Sequence, residues 1–137
     1  MSTTFATPQD AEDAYYDAID ESDMETMEAV WEASDEVFCL LPMMPVHRGR
    51  QEVLKVWEAI LRSGRPPQLQ IGHLLWIEQG DLAIHLVEER LSVPDQPLPQ
   101  PIYATNIYRK GEAGWRLLMH QNSPTPPPPE LQMPERG

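Results

Sequence analysis

Apolar residues in the first third of the chain recur at three- and four-residue steps. Ala11, Ala14, Tyr15, Ala18 and Ile19 form one stripe, the pattern of a helix with a single buried face. Thr7-Pro8-Gln9-Asp10 reads as its start: a threonine cap, a proline where a missing N–H is harmless, and an acid near the positive end. Ser22-Asp23-Met24-Glu25 reads as a capping box that restarts a second helix, with Met24, Met27, Val30 and Trp31 as its stripe. A third helix beginning near Gly49 carries Val53, Val56, Trp57, Ile60 and Leu61 on one side. Gly64 and Pro66-Pro67 stop it.

Between the second and third helices, Val37 to Leu41 predicts a short strand ended by Pro42. After residue 67 the period changes. Gln68 to Glu78 and Leu82 to Leu91 predict two strands joined through Gln79-Gly80-Asp81, and Ile102 to Lys110 and Trp115 to Asn122 a second hairpin about GEAG. The proline-dense SVPDQPLPQP between them must lie outside the ladder. The reading is α+β, with one domain over residues 1–123 and a proline-rich, extended tail over 124–137. Strict alternation in the first long strand puts Leu69, Ile71, Leu75 and Ile77 on one face and Leu74 and Trp76 on the other. Three helices cover one face of such a sheet. A homodimer through the sheet is the expected cover for the second.

Composition narrows the function. The 137 residues carry 22 acidic and 10 basic side chains, a net charge of −12. Such a surface repels phosphate backbones and anionic lipid, so neither nucleic acid nor membrane is an expected partner. No apolar run reaches the ~20 residues a bilayer span requires. The stretch MSTTFATPQDAEDAYY has no basic or apolar leader pattern, and the single cysteine, Cys39, has no intramolecular partner. Both fit a cytoplasmic protein. The acids of the first two helices sit at helical spacing and read as a solvated face. His47, His73, His85 and His120 show no metal-binding spacing. Neither metal nor cofactor is expected. His73 and His85 fall across the first hairpin, where they could pair.

Several pieces then carry a resemblance. They are the helix junction AIDESDMETMEAVW, the strand with Ser34, Asp35, Val37 and Cys39, the run Arg48, Gly49, Trp57 and Ile60, the turn Gly80 to Ala83, and the ending ATNIYRK…GWRLLMHQNSP. Over about residues 7 to 124, in that order, the chain resembles the nuclear transport factor 2-like superfamily, and within it the bacterial SnoaL-like proteins. The resemblance implies a strongly curved antiparallel sheet wrapped by three helices into a cone with an internal pocket, commonly homodimeric. It implies no single reaction, because the superfamily holds isomerases, dehydratases, cyclases, epoxide hydrolases and members without known catalysis. Where relatives often carry a histidine-proline-glycine step, this chain has Leu41-Pro42-Met43-Met44-Pro45.

By the same resemblance, the donors of a ketosteroid-isomerase-like site fall on Tyr15 and Asn106. The position of its general base falls on Leu40, which accepts no proton. Asp35 and His120 are the remaining candidates for catalysis. Tyr15, Trp31, Cys39, Met43, Trp57, Asn106, Tyr108, Met119 and Gln121 are the expected pocket residues. For the tryptophans and methionines plain core is the competing reading, and for Cys39 a small buried hydrophobe. If Asn106 points inward, alternation predicts Ala104 and Tyr108 inward beside it, with Leu117, Met119 and Gln121 facing them and Leu118 and His120 outward. The leading function is binding of a small apolar or carbonyl-containing molecule. The alternatives are acid–base catalysis on a cyclic or carbonyl substrate, and a dimeric association module without ligand.

Overall fold

Thr7 closes the open amide end of α1 (Pro8–Glu21), its Oγ1 accepting from the Asp10 N–H at 3.0 Å. At the other end Ser22 adopts a left-handed conformation, φ 52°, and its N–H turns back to the carbonyls of Ala18 and Ile19. Ser22 therefore closes one helix rather than opening the next. Asp23 opens α2 (Met24–Val30), accepting from the Thr26 hydroxyl at 2.6 Å and the Thr26 N–H at 3.1 Å. Those bonds hold its carboxyl below the ordinary value. The carbonyls left open where α2 ends are met by Arg50, whose guanidinium donates to Glu28, Trp31 and Glu32 backbone oxygens at 2.8–3.2 Å. Arg50 is also the first residue of α3 (Arg50–Leu61), so one side chain ties two helices together.

The structure, a computed structural model, describes residues 4–63, 68–91 and 102–123. The expected helix stop at Gly64 to Pro67, the SVPDQPLPQP loop and the tail 124–137 lie outside the described residues. Among the described residues six strands form one sheet: β1 (Phe38–Leu40), β2 (His47–Arg48), β3 (Leu69–Gln79), β4 (Leu82–Leu91), β5 (Ile102–Gly111) and β6 (Gly114–Asn122), in the order β2-β1-β6-β5-β4-β3. The long meander β3 to β6 is antiparallel. β1 joins it parallel to β6, with Cys39 beside His120. The two-residue β2, paired antiparallel to β1, is too short to leave a period in the sequence.

Register decides which side chains meet the helices. β4 turns Ala83, His85, Val87 and Glu89 toward them, and β5 turns Ala104, Asn106 and Tyr108; all seven are buried. Strict alternation fails in the other two strands. In β6, Ile107 pairs with Met119 but Tyr108 pairs with Leu117, leaving Leu118 as an extra residue. The phase beyond it reverses. His120 and Asn122 point inward, while Met119 and Gln121 move to the outer face, which corrects the expectation of an outward His120. In β3, His73 pairs with Val87 and Leu75 with Leu86, so Leu74 is the extra residue. Leu69, Ile71, His73 and Trp76 accordingly share the helix side, and Leu75 and Ile77 lie opposite. The outer face keeps an apolar band of Leu75, Ile77, Ile84, Leu86, Ile107 and Met119.

Between helices and sheet, Tyr15 meets the rings of Trp57 and Trp31 edge-on at 5.6 and 6.3 Å. Met27, Val30, Val37, Val53 and Leu117 pack the same core. No helix among the described residues is long and apolar enough to cross a membrane. Ahead of α1, the Phe5 carbonyl accepts from the Trp115 N–H at 2.9 Å. This contact depends on Gly114, which has φ 91° and where an added Cβ would lie 2.5 Å from the Phe5 oxygen. Gly114→Ala is expected to lower stability by roughly 1–3 kcal/mol, measured by denaturant unfolding. An unchanged midpoint would refute the close approach.

Candidate functional site

Glu12 sits among the acids of α1, yet it is 1% exposed. It lies three and four residues before Tyr15 and Tyr16, on the face that packs against the sheet. Two histidines meet it there. His85 Nδ1 is 3.0 Å from Oε1, and His73 Nε2 is 2.5 Å from Oε2, an oxygen that also accepts from the Gln9 amide. Burial raises the Glu12 carboxyl, but the hydrogen bonds and charges of His85 and His73 outweigh it and leave it below its ordinary value. Trp76 fixes both rings, stacked on His85 and edge-on to His73, each at 4.6 Å between centroids. The bulge at Leu74 makes this possible, since it lets His73 and Trp76 share a face three residues apart.

A second cluster lies beside it. The Tyr16 hydroxyl donates to Glu89 Oε2 at 2.7 Å and accepts from Asn106 Nδ2 at 3.0 Å. Asn106 Oδ1 faces His120 Nδ1 at 2.5 Å, and His120 Nε2 faces Asn122 Oδ1 at 2.7 Å. Asn122 Nδ2 donates to Glu89 Oε1 at 2.7 Å and closes a five-membered ring of side chains. Burial and the Glu89 carboxylate push the Tyr16 phenol well above its ordinary value, so it stays a donor. Burial draws the His120 imidazolium toward losing its proton, while Glu89, 3.9 Å away, and the Asn122 carbonyl pull the other way.

Two openings reach these clusters. A crevice of about 200 Å³ between α1 and β3 is lined by Glu12, Asp13, Tyr16, Asp17, Asp20, Leu69, Ile71 and His73. His73 stands at its mouth with 38% of its side chain exposed. A cleft of about 580 Å³ is walled by Leu40, Leu41, Pro42, Met43 and Met44 on one side and by Tyr103, Thr105, Gln121, Asn122 and Ser123 on the other. It touches the ring at Asn122.

The residues singled out in the sequence divide accordingly. Asn106 and His120 enter the ring, and Tyr108 packs its ring 4.9 Å from His85. Tyr15 does not bond Asn106; its neighbour Tyr16 does, and among the described residues the buried Tyr15 hydroxyl has no hydrogen-bond partner. The Tyr15 ring instead leans on His120 at 5.1 Å. Trp31, Trp57 and Cys39 are buried core. Burial pushes the Cys39 thiol up to about 12, which leaves it a small hydrophobe rather than a nucleophile. Asp35 is exposed in the turn before β1, away from both clusters. Met43 is 96% exposed at φ 61°, and with Gln121 it lines the outer cleft rather than the interior. Met119 also faces outward. Sequence reasoning missed Glu12, Tyr16, Glu89 and Asn122. For Glu12 and Tyr16 the signal was present, as polar positions in step with the apolar stripe.

His73 and His85 pair through Glu12 rather than directly. They are spent on that carboxylate, and among the described residues no three of His, Cys, Asp and Glu are arranged to hold a metal. Because the Glu12 pKa is lowered on folding, its contribution to stability is present above the ordinary carboxyl value of 4.5 and is lost as pH falls through the folded value. Glu12→Gln is therefore expected to flatten the decline of stability in that acid range. Denaturant unfolding at a series of pH values measures it, and parallel curves for the two proteins would count against the buried pairing.

Comparison with known proteins places this arrangement in a family. The SnoaL-like domain family matches residues 9–127. A solved structure from Thiobacillus denitrificans, provisionally assigned as a calcium/calmodulin-dependent protein kinase type II association domain, is 36% identical. That match covers 89% of this chain and 98% of the other, with a TM-score of 0.82. A provisionally assigned dehydratase of the NTF2-like family from Streptomyces avermitilis is 29% identical over 83% of this chain and 90% of its own, TM-score 0.72. An NTF2-like protein of unknown function from Pseudomonas putida shares the fold at 16% identity, over 84% of this chain and 82% of its own, TM-score 0.66. No curated protein matches. With the helices, the sheet order and the family match in agreement, the chain belongs to the SnoaL-like domain family of the nuclear transport factor 2-like superfamily.

Proposed function

We propose that the chain binds a small molecule bearing a carbonyl or hydroxyl group between α1 and the sheet, and that Glu12 with His73 and His85 moves a proton on it. The observation that carries this is a carboxylate buried to 1% yet held by two histidines, one of which stands at the mouth of a crevice. A fastener between helix and sheet needs no ionisable groups, because well-packed apolar side chains do that work at least as well. A buried carboxylate with an imidazole reaching solvent is instead the equipment of general acid–base catalysis. His73 would exchange a proton with the bound molecule. Glu12 would stabilise the imidazolium that forms, and His85 and Trp76 would hold both in place. The dehydratase assignment of the relative from Streptomyces avermitilis lies in the same reaction class.

A second reading rests on a separate observation. The outer face of the sheet carries half-exposed Leu75 and Ile77, at 49% and 45%, beside Ile84, Leu86, Ile107 and Met119. Such a band fits a homodimer through the sheet, and the relative from Thiobacillus denitrificans is named for association. The two readings are compatible, since catalysis would use the inner face and assembly the outer.

The first test is a thermal-shift screen of small ketones, enones and hydroxy ketones, followed by turnover assays on every compound that binds. His73→Gln and Glu12→Gln, with unchanged circular dichroism, are each expected to lower turnover by roughly 10²-fold or more. Binding with no turnover in the unaltered protein would reduce the function to ligand binding. Sedimentation at micromolar concentration is expected to give a dimer, and Ile77→Glu to give a monomer.

A further inference from the structure

The ring of Tyr16, Glu89, Asn122, His120 and Asn106 obeys a counting rule. A Glu89 carboxylate only accepts hydrogen bonds. Asn122 must then offer it Nδ2, which turns Oδ1 toward His120 Nε2 and requires a proton there. On the other side Tyr16 must donate to Glu89, so its oxygen accepts from Asn106 Nδ2. That turns Asn106 Oδ1 toward His120 Nδ1 and requires a second proton. A Glu89 carboxylate therefore fits only an imidazolium. If Glu89 carries the proton instead, the Tyr16 hydroxyl and the Asn106 amide reverse, Nδ1 accepts, and every group is again satisfied by a neutral imidazole. The mixed state, carboxylate with neutral imidazole, leaves two acceptors facing each other in a ring whose members other than the partly buried Tyr16 are at most 8% exposed.

We propose that these five side chains form a closed proton circuit in which Glu89 and His120 are charged together or neutral together, so that the interior holds one proton in reserve independently of bulk pH. Passing between the two forms breaks one N–H bond at His120 Nδ1 and makes one O–H bond on Glu89. No proton enters or leaves, and no electrons are transferred. The groups packed around His120 support this isolation. Tyr15 and Tyr16 of α1 are phenols pushed well above their ordinary value by burial, and so is Tyr108 of β5. Cys39 of β1, beside His120 in the sheet, is a buried thiol pushed up to about 12. Among the described residues Glu89 of β4 is the one carboxylate hydrogen-bonded within the ring, and Glu12 of α1 is engaged by His73 and His85. Tyr16 also lines the α1–β3 crevice, so the circuit runs up to its wall. The circuit goes beyond the Glu12 chemistry proposed above and can fail without it, because it is read in the ligand-free protein.

The experiment is nitrogen-15 NMR of the imidazole groups in the full chain, from pH 5.5 to 8.5, with His120 assigned by a His120→Gln spectrum. In the unaltered protein the His120 shifts are expected to stay constant across the range. A single-site titration curve for His120 would overturn the proposal. Tyr16→Phe opens the circuit at one link and is expected to make His120 follow pH; constant shifts in that variant would also overturn it. Glu89→Gln supplies a neutral group that donates on one side, and is expected to give the neutral, single-tautomer pattern. If that variant does not fold, the unaltered protein and Tyr16→Phe decide the question.

Discussion

Two acidic side chains, Glu12 and Glu89, are taken out of water between a helix and a sheet, and the rest of the interior is arranged to meet them. An ion removed from solvent loses several kcal/mol of hydration that only well-placed donors return. Glu12 receives two imidazoles and an amide; Glu89 receives a phenol and an amide. Supplying those donors places demands on strand register that a regular sheet cannot satisfy. His73 with Trp76, and Leu117 with His120, must each share a face although they stand three positions apart. An extra residue in β3 and another in β6 provide that phase change.

The aromatic core serves the same end by rigidity. Tyr15 touches Tyr16, Trp31, Trp57 and His120, so the helix that carries Glu12 and Tyr16 is held against the end of α2, against α3 and against β6. Side chains fixed in this way lose little further freedom when a hydrogen bond forms, which is how a polar network in a dry interior keeps one geometry. Arg50 and Asp23 act at longer range. By closing the ends of α2 they fix where Trp31 enters the core, and Trp31 in turn bridges to Leu117 of β6.

The helices, the two hairpins and the α+β class were legible because each leaves a period: three or four for the helices, two for the strands. That Ala104, Asn106 and Tyr108 share a face was legible for the same reason, since β5 keeps its alternation from Tyr103 to Arg109; that this face is the inner one rested on the resemblance, which placed Asn106. What escaped was everything that depends on a break in period. Leu118 and Leu74 look like ordinary strand residues, and nothing local marks them as insertions. One residue of slip exchanged His120 for Met119 as the inward side chain. The other misjudgement was of charge. Glu12 was grouped with the solvated acids of α1, although its spacing from Tyr15 already placed it on the buried face. The parallel pairing of β1 with β6 joins segments about eighty residues apart, beyond the reach of any local pattern.

The bulge at Leu74 has one more effect. β3 is an outer member of the sheet and shows Leu74, Leu75, Trp76 and Ile77 half-exposed. A straight strand of that composition, eleven residues long, would be an open template on which another chain could extend the sheet. The extra residue spoils the even spacing of amides and carbonyls along that margin, so an incoming strand cannot stay in step past it. The irregularity that sets His73 and Trp76 side by side on the helix face of the sheet thus guards its margin as well, and a substitution that straightened β3 would be expected to lower solubility while parting the two rings.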